Sequence, residues 1–340
     1  MKVAVGISGG VDSAVAALLL KEQGHEVVGV TMTLGRADEA KSLAEAKAAA
    51  EKLGIKLQVF DFSREWALNI LQYVQGTYLA GKTPNPCVRC NETVKFGLLP
   101  QAAFELGCER FATGHYARLV SRLSFPVLCR AIDRAKDQSY FLYRVRPEIL
   151  AKTIFPLGEL TKDEVRAKAR AFGLEVAEKG DSQDFCGGDP MRIVNEPDRA
   201  GEVVTVDGKV IGTHRGYWNY TVGMRKGLGI GGGTPYYVVS LDAKNNRVIV
   251  GFKDDAVARE FKVVDRVGFL TSGQEAGRAS PIAGAIAPLS VKVRSAGEPR
   301  GPVTIEGDVV RCPGGIAGVA PGQSAVFYDG DVVVGGGIIA

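Results

Sequence analysis

No run of about 18 apolar residues occurs anywhere in this 340-residue chain, so no segment has the length a membrane-spanning helix needs. The opening MKVAVGISGG enters a strand-like run at once. It has no basic stretch leading into a long apolar one, so no secretory leader is expected, and the expected location is the cytoplasm with no membrane partner. An excess of one charge is also missing: 42 Lys and Arg stand against 38 Asp and Glu, a net +4. That balance permits a polyanionic partner without requiring one. There is no internal repeat, and GIGGG (229–233) is too short to count as low complexity. Six cysteines in a reducing compartment need form no disulfide, and a close pair there points to metal binding or catalysis.

What the chain does have is a β-α-β-α-β rhythm. Apolar runs at 3–7, 27–34 and 57–62 alternate with helix-like segments, the second at 38–53, and RFATGH supplies a further strand ending at His115. This is the pattern of an α/β domain with a parallel sheet covered by helices. From 135 to 180 the pattern turns helical. LTKDEVRAKARAFGL reads as a capped helix with Thr161 as N-cap, Glu164 three residues on and Gly173 as the stop. After 193 the composition shifts to Gly, Val and turn dipeptides, so the last 150 or so residues are expected to be all-β. A break at 255–262 divides them in two. The expected domains are 1–192, a parallel-sheet catalytic domain; 193–256, a small central β domain; and 257–340, a C-terminal β-barrel.

Between the first strand and the first helix lies GISGGVDS, comprising Gly6, Ile7, Ser8, Gly9, Gly10, Val11, Asp12 and Ser13. Its glycines let backbone N–H groups face an anion at the helix N-terminus. The loop lacks the G-K-[ST] ending of a Walker A motif and is not G-x-G-x-x-G. S-G-G-x-D-S instead resembles the PP-loop of N-type ATP pyrophosphatases, which adenylate an oxygen to make it a leaving group. On that likeness Asp12 and Ser13 line the phosphates of ATP, with Mg²⁺ bridging them.

TPNPCVRCNETVKF (83–96) holds Cys87 and Cys90 as C-x-x-C, and KGDSQDFCGG holds Cys186. Cys108, Cys129 and Cys312 stand in apolar or strand-like surroundings and read as packing residues. With SGGVDS, GKTPNPCVRCNETVKFG, ATGHYAR, KDQSYFLY, FPLGELTKDEVRAKAR, GDSQDFC, VGMRKGLGI and PGQSAVFYDGDVVVGGG in one order, the chain resembles the tRNA-specific 2-thiouridylases along nearly its whole length. The resemblance implies ATP-dependent replacement of the C2 oxygen of the wobble uridine in tRNA by sulfur. It implies that Cys90 is the catalytic nucleophile. Cys186 would receive sulfur as a persulfide from a relay protein fed by a cysteine desulfurase. Met32 and Gly114 join Gly6–Ser13 as ATP contacts. Asn85, Pro86 and residue 87 correspond to the stretch that meets the target base. His115, Lys136, Asp137, Gln138, Gln323, Arg294 and Ser295 correspond to tRNA-contacting positions. Arg225 and Lys226 are natural phosphate ligands or, alternatively, charges on a solvated hairpin.

The chain departs from the family in placing Cys87 where an Asp is usual. Cys87, Cys90 and Cys186 together are then candidate ligands for three irons of an iron-sulfur cluster, a second route to thiolation. Two further alternatives keep less of the resemblance: a PP-loop enzyme that amidates or sulfurates a small molecule, and a tRNA-binding protein without catalysis. Asn219 and Met224 stand where the family tends to have His and Gln.

Overall fold

The computed structural model describes residues 1–37, 39–122, 125–174, 191–230, 233–268 and 288–340. The chain divides into two compact units. The first comprises Met1–Ile70, Cys87–Asp184 and Asp331–Val333; the second comprises Leu71–Pro86, Phe185–Gly330 and Val334–Ala340.

In the first part of the chain the elements are β1 (Lys2–Gly6), α1 (Val11–Glu22), β2 (Glu26–Thr33), α2 (Glu39–Leu53), β3 (Leu57–Asp61), α3 (Ser63–Trp66), α4 (Gln72–Leu79), α5 (Pro86–Cys90) and α6 (Leu99–Glu105). They continue with β4 (Arg110–Ala112), β5 (Ala117–Arg122), β6 (Phe125–Arg130), α7 (Pro147–Leu150), β7 (Thr153–Ile154) and α8 (Lys162–Ala171). Five strands form a parallel sheet in the order β3-β2-β1-β4-β7. Val3, Ala4 and Val5 are fully buried, as a strand covered by helices on both faces must be. The alanine-rich α1 packs against them with Ala14, Ala16 and Ala17 wholly inside. The chain builds outward from β1 to β2 and β3, then returns to β1's other side with β4. The reversal opens a crevice at the carboxyl ends of β1 and β4, where α/β sheets bind ligands.

The α/β expectation therefore holds, and α8 begins as foreseen: the Thr161 hydroxyl accepts the Glu164 N–H at 3.3 Å, and the Glu164 carboxylate accepts the Thr161 N–H at 2.7 Å. Two features of this unit were not legible. The stretch 135–180, expected to be helical, also contains β7. Its two residues pair beside β4, too short a run to show any period. The other is the β5–β6 hairpin. Asp331 belongs to the same unit, taking Arg118 at 2.9 Å and Arg134 at 2.7 Å. The two guanidiniums, Arg134 foremost, hold its carboxyl below the ordinary value.

The second unit contains α4 and the later elements α9 (Met191–Val194), β8 (Gly201–Thr205), β9 (Val210–His214), β10 (Tyr237–Asp242), β11 (Arg247–Gly251), β12 (Val257–Gly268), β13 (Leu289–Lys292), β14 (Arg300–Glu306), β15 (Val309–Ala317), β16 (Ser324–Asp329) and, from Val334 on, β17 (Val332–Ile339). A four-stranded sheet runs β10-β11-β8-β9. Val203, Val238, Val248 and Val250 of its strands bury against Tyr217 and Trp218. Six strands follow in the order β12-β15-β14-β13-β16-β17, and β12 pairs with β17 to close a barrel. The expected break at 255–262 is largely the start of β12. Arg259 and Glu260 face solvent while Phe261 and Val263 turn inward, and Glu260 pairs across the ladder with Arg311 at 3.0 Å. The charges within that break are the outer face of a strand.

Candidate active site

The phosphate loop emerges from β1 with the Ile7 N–H bonded to the Val30 carbonyl at 2.8 Å. Gly9 has φ +77°, and a Cβ there would lie 2.6 Å from the Glu45 Cβ, so only glycine fits. Gly10 is the N-cap of α1 and offers no side chain to its first N–H groups. Those donors stay available to an anion, with the helix dipole behind them. Ser13 closes the turn: its hydroxyl accepts from the Ser8 N–H at 3.2 Å and donates to the Gly10 carbonyl at 3.0 Å.

Asp12 looks out of the first turn of α1 and is the hub of the crevice. The Lys162 Nζ stands 2.8 Å from each of its carboxylate oxygens, and the Tyr116 hydroxyl donates to Oδ1 at 2.9 Å. The same ammonium lies 5.8 Å from the Tyr116 ring centroid. Lys162 is almost wholly buried whereas the Asp12 side chain is 30% exposed. A cation on the first turn of a helix opposes that helix's dipole, so its place in α8 requires a nearby anion. Sequence reasoning passed over Lys162 and Tyr116, and the misplaced charge was the signal available. Gly114, in the loop after β4, abuts the phosphate loop: a Cβ there would lie 2.6 Å from the Asp12 carbonyl carbon and 2.7 Å from the Ser13 nitrogen. A partly exposed carboxylate beside unsatisfied helix N–H groups suits a Mg²⁺–phosphate group, since Mg²⁺ takes one or two carboxylates plus phosphate oxygens and water. Met32 lies half-buried near the end of β2.

Cys87 and Cys90 are three residues apart on α5 and therefore share a helix face. Beyond Cys90 the helix widens into a π-helical stretch, Asn91–Leu98, a distortion common at functional sites. Burial pushes the Cys90 thiol up to about 11; Lys95 pulls it back, the neighbouring Cys87 adds to the rise, and Arg36 opposes it. Burial also raises Cys87, again against Lys95. In this state both thiols are protonated at neutral pH. Lys95 is thus a third residue the sequence reading did not single out. Asn91 donates to the Phe141 carbonyl at 3.3 Å, while its side-chain oxygen is buried without a hydrogen-bond partner among the described residues.

Cys186 lies outside the described residues. Among the described residues no three His, Cys, Asp or Glu side chains gather to hold a metal ion, and Cys87 and Cys90 are two ligands of the three the cluster reading names. Cys108, Cys129 and Cys312 are buried, as packing residues should be.

His115 is buried between Phe96 and Phe155, its Nδ1 2.8 Å from the Thr113 hydroxyl. Burial first, and Lys95 second, hold its imidazole well below the usual 6.5, so it is neutral at pH 7. Asp137 faces inward and accepts from the Ala131 N–H at 3.1 Å, the Ser139 hydroxyl at 3.0 Å and Arg130 at 3.4 Å. Gln138 accepts the Tyr116 N–H at 2.9 Å, and Lys136 stands in the preceding turn. This turn braces Tyr116, which in turn holds Asp12.

In the second unit the Gln323 carboxamide donates to the Pro84 carbonyl at 2.6 Å and the Thr83 N–H bonds to the Pro321 carbonyl at 2.7 Å. Asn85 is fixed by its N–H on the Tyr73 hydroxyl at 3.0 Å and by its side chain on Ser324 at 3.4 Å. The T-P-N-P segment is thus strapped to the turn before β16, and it ends at Pro86, where α5 begins. Arg225, Lys226, Arg294 and Ser295 are exposed.

Three domain families match the chain in sequence: the tRNA methyl transferase HUP domain over residues 1–187, the tRNA methyl transferase PRC-barrel domain over 194–252 and the aminomethyltransferase beta-barrel domain over 285–339. The tRNA-specific 2-thiouridylase MnmA of Nostoc punctiforme is 42% identical, over 99% of this chain and 98% of its own length. That of Syntrophotalea carbinolica is 44% identical over 99% and 97%, and that of Rhodospirillum centenum 41% over 99% and 91%.

Proposed function

The chain belongs to the tRNA-specific 2-thiouridylase family, and from that membership we propose that it uses ATP to exchange the C2 oxygen of the wobble uridine in tRNA for sulfur. The full-length match to curated relatives at 41–44% identity carries this reading. The three matched families support a division into a catalytic domain (1–192), a central β domain (193–256) and a barrel (257–340).

The open N–H groups of α1 and the Gly9–Gly10 turn receive the phosphates of ATP. Mg²⁺, when bound, neutralises phosphate charge beside Asp12. Lys162 then exchanges part of its contact with Asp12 for a phosphate oxygen, stabilising the charge that builds as pyrophosphate leaves. Attack of the uridine C2 oxygen on the α-phosphorus gives an adenylated base and pyrophosphate. The terminal sulfur of a persulfide on Cys186 attacks C2, and AMP departs with the former uridine oxygen. Cys90, as thiolate, attacks the Cys186 sulfur. The S–S bond to the base breaks, 2-thiouridine is released, and a Cys90–Cys186 disulfide remains. An external thiol supplies the two electrons that reopen it, and a sulfur-relay protein or cysteine desulfurase renews the persulfide.

The test is nucleoside mass spectrometry of unmodified tRNA incubated with the purified chain, ATP and a persulfide donor. Formation of 2-thiouridine together with AMP and pyrophosphate is expected, and its absence with both wild type and fresh donor overturns the reading. Iron and sulfide analysis after anaerobic purification decides the cluster route, which substoichiometric iron removes.

A further inference from the structure

The reaction above gives Cys87 no step, yet it is a thiol one helical turn from the nucleophile. Both cysteines lie on α5 and within the first unit, and both are free. Cys90 keeps ordinary helical angles, φ −64° and ψ −43°, so the two Cα atoms stand about 5 Å apart, as residues i and i+3 of a helix do. That falls inside the range of disulfides, roughly 4.4–6.8 Å. Cβ atoms at this spacing lie about 5–6 Å apart, and a bridge needs roughly 3.5–4.5 Å, so a closure of about 1 Å is required. Cys87 is placed to supply it. It sits in the first turn of α5, whose N–H groups have no partner inside the helix, and Pro86 before it has no N–H at all.

The two thiols differ in access. Cys90 is 8% exposed, whereas Cys87 is only partly buried, so an external reductant meets Cys87 first. A bridge across one helical turn also closes too short a loop to restrain the unfolded chain much, and it ties no distant segments together. It therefore has little structural use. A pair that closes with a small movement, and whose outer sulfur is the accessible one, suits the passage of electrons inward to Cys90. The Asp usual in the family at this position carries no sulfur and has no such chemistry.

We propose that Cys87 is the resolving thiol for Cys90, receiving the disulfide that thiolation leaves there. The inference rests on the persulfide route of the functional reading and adds one step to it. The Cys87 thiolate attacks the Cys90 sulfur of the Cys90–Cys186 disulfide. The Cys87–Cys90 bond forms, the Cys90–Cys186 bond breaks, and Cys186 leaves as a thiolate, with no net oxidation. Cys186 is then free to take up the next persulfide sulfur before any reductant arrives. Two equivalents of external thiol afterwards reduce Cys87–Cys90, the first attacking the accessible Cys87 sulfur and expelling Cys90, the second completing the external disulfide.

The first experiment needs no tRNA. The full-length Cys186→Ser protein is equilibrated in a glutathione redox buffer, quenched with an alkylating agent and mapped by peptide mass spectrometry, its melting temperature having been compared with wild type. A Cys87–Cys90 bridge is expected; its absence at every glutathione ratio, in a folded protein, overturns the inference and leaves the functional reading standing. The second follows one turnover of persulfide-loaded wild type with tRNA and ATP, without added thiol. Cys87–Cys90 should appear in amount matching the 2-thiouridine formed, with Cys186 alkylated, whereas Cys87→Ser should hold Cys90–Cys186 for each 2-thiouridine it makes. Wild type that accumulates Cys90–Cys186 with Cys87 alkylated overturns the inference in favour of direct reduction by the external thiol. Failure of the wild type to make any 2-thiouridine overturns the functional reading and this step with it.

Discussion

The Lys162 ammonium lies 2.8 Å from both carboxylate oxygens of Asp12, a residue 150 positions away. Taking a Lys–Asp pair out of water is costly, and such a pair is weak ground for stability. Its position beside the open N-terminus of α1 gives it another use. Lys162→Met should lower ATP–pyrophosphate exchange by about 10²-fold, the size of effect seen when one preorganised charge-stabilising donor is removed, with tRNA affinity unchanged. Near-normal exchange in a folded variant would leave Lys162 a purely structural residue.

Gly114 sets the height of the phosphate loop. A methyl group there would come within 2.6 Å of backbone that carries Asp12, and backbone gives way only by moving. Gly114→Ala is expected to cut kcat/KM for ATP by roughly 10²-fold, as displacements near 1 Å do in oriented sites. Steady-state kinetics with saturating tRNA reads it; an unaltered KM and kcat would show the loop tolerates the shift.

With its thiol at about 11, Cys90 is a weak nucleophile at neutral pH, and its thiolate fraction grows about tenfold per pH unit below that value. Single-turnover release of 2-thiouridine should rise correspondingly between pH 7 and 9. Lys95 is the cation that favours the thiolate, so Lys95→Met pushes the thiol higher and slows release several-fold at pH 8. A flat pH profile would mean that another step limits turnover.

Cys87→Asp restores the residue usual in the family at this position. If sulfur travels by persulfide and disulfide, this variant keeps ATP-dependent thiolation when a persulfide donor is supplied. Complete loss of activity in a folded Cys87→Asp protein would turn attention back to a three-cysteine cluster.

His115 predicts a stability change on the acid side. Its folded value lies well below 6.5 because burial disfavours the imidazolium. The stability linked to its neutral form is full above the unfolded value and drains as pH falls toward the folded one. The unfolded chain alone takes up the proton in that window, at about 1.4 kcal/mol per pH unit. Urea midpoints at pH 7, 6 and 5 should fall less steeply in His115→Phe than in wild type; parallel slopes would show that other groups govern the acid limb.

The three strands of the opening β-α-β-α-β run, α2 and the capping box of α8 were legible because each is written in neighbouring residues. Gly9 could be named for the same reason: a left-handed turn demands it wherever the chain goes next. β7 was missed since two residues carry no period, and the first residues of β12 were taken for a break between β-rich stretches since Arg259 and Glu260 reveal their outward direction only once β15 lies alongside. Lys162 looked like an ordinary charge on a helix, although its place against the dipole hinted otherwise.

By itself the sequence determined the phosphate loop, the adjacent thiols on one helix and the order of motifs that marks the family, because those depend on chemistry between near neighbours. Only the tertiary structure decided what surrounds them. Setting β4 beside β1 brings Gly114 and Tyr116 onto Asp12, and packing α8 over α1 delivers Lys162. Burial, which no single segment controls, then sets the acidity of Cys90 and the neutrality of His115.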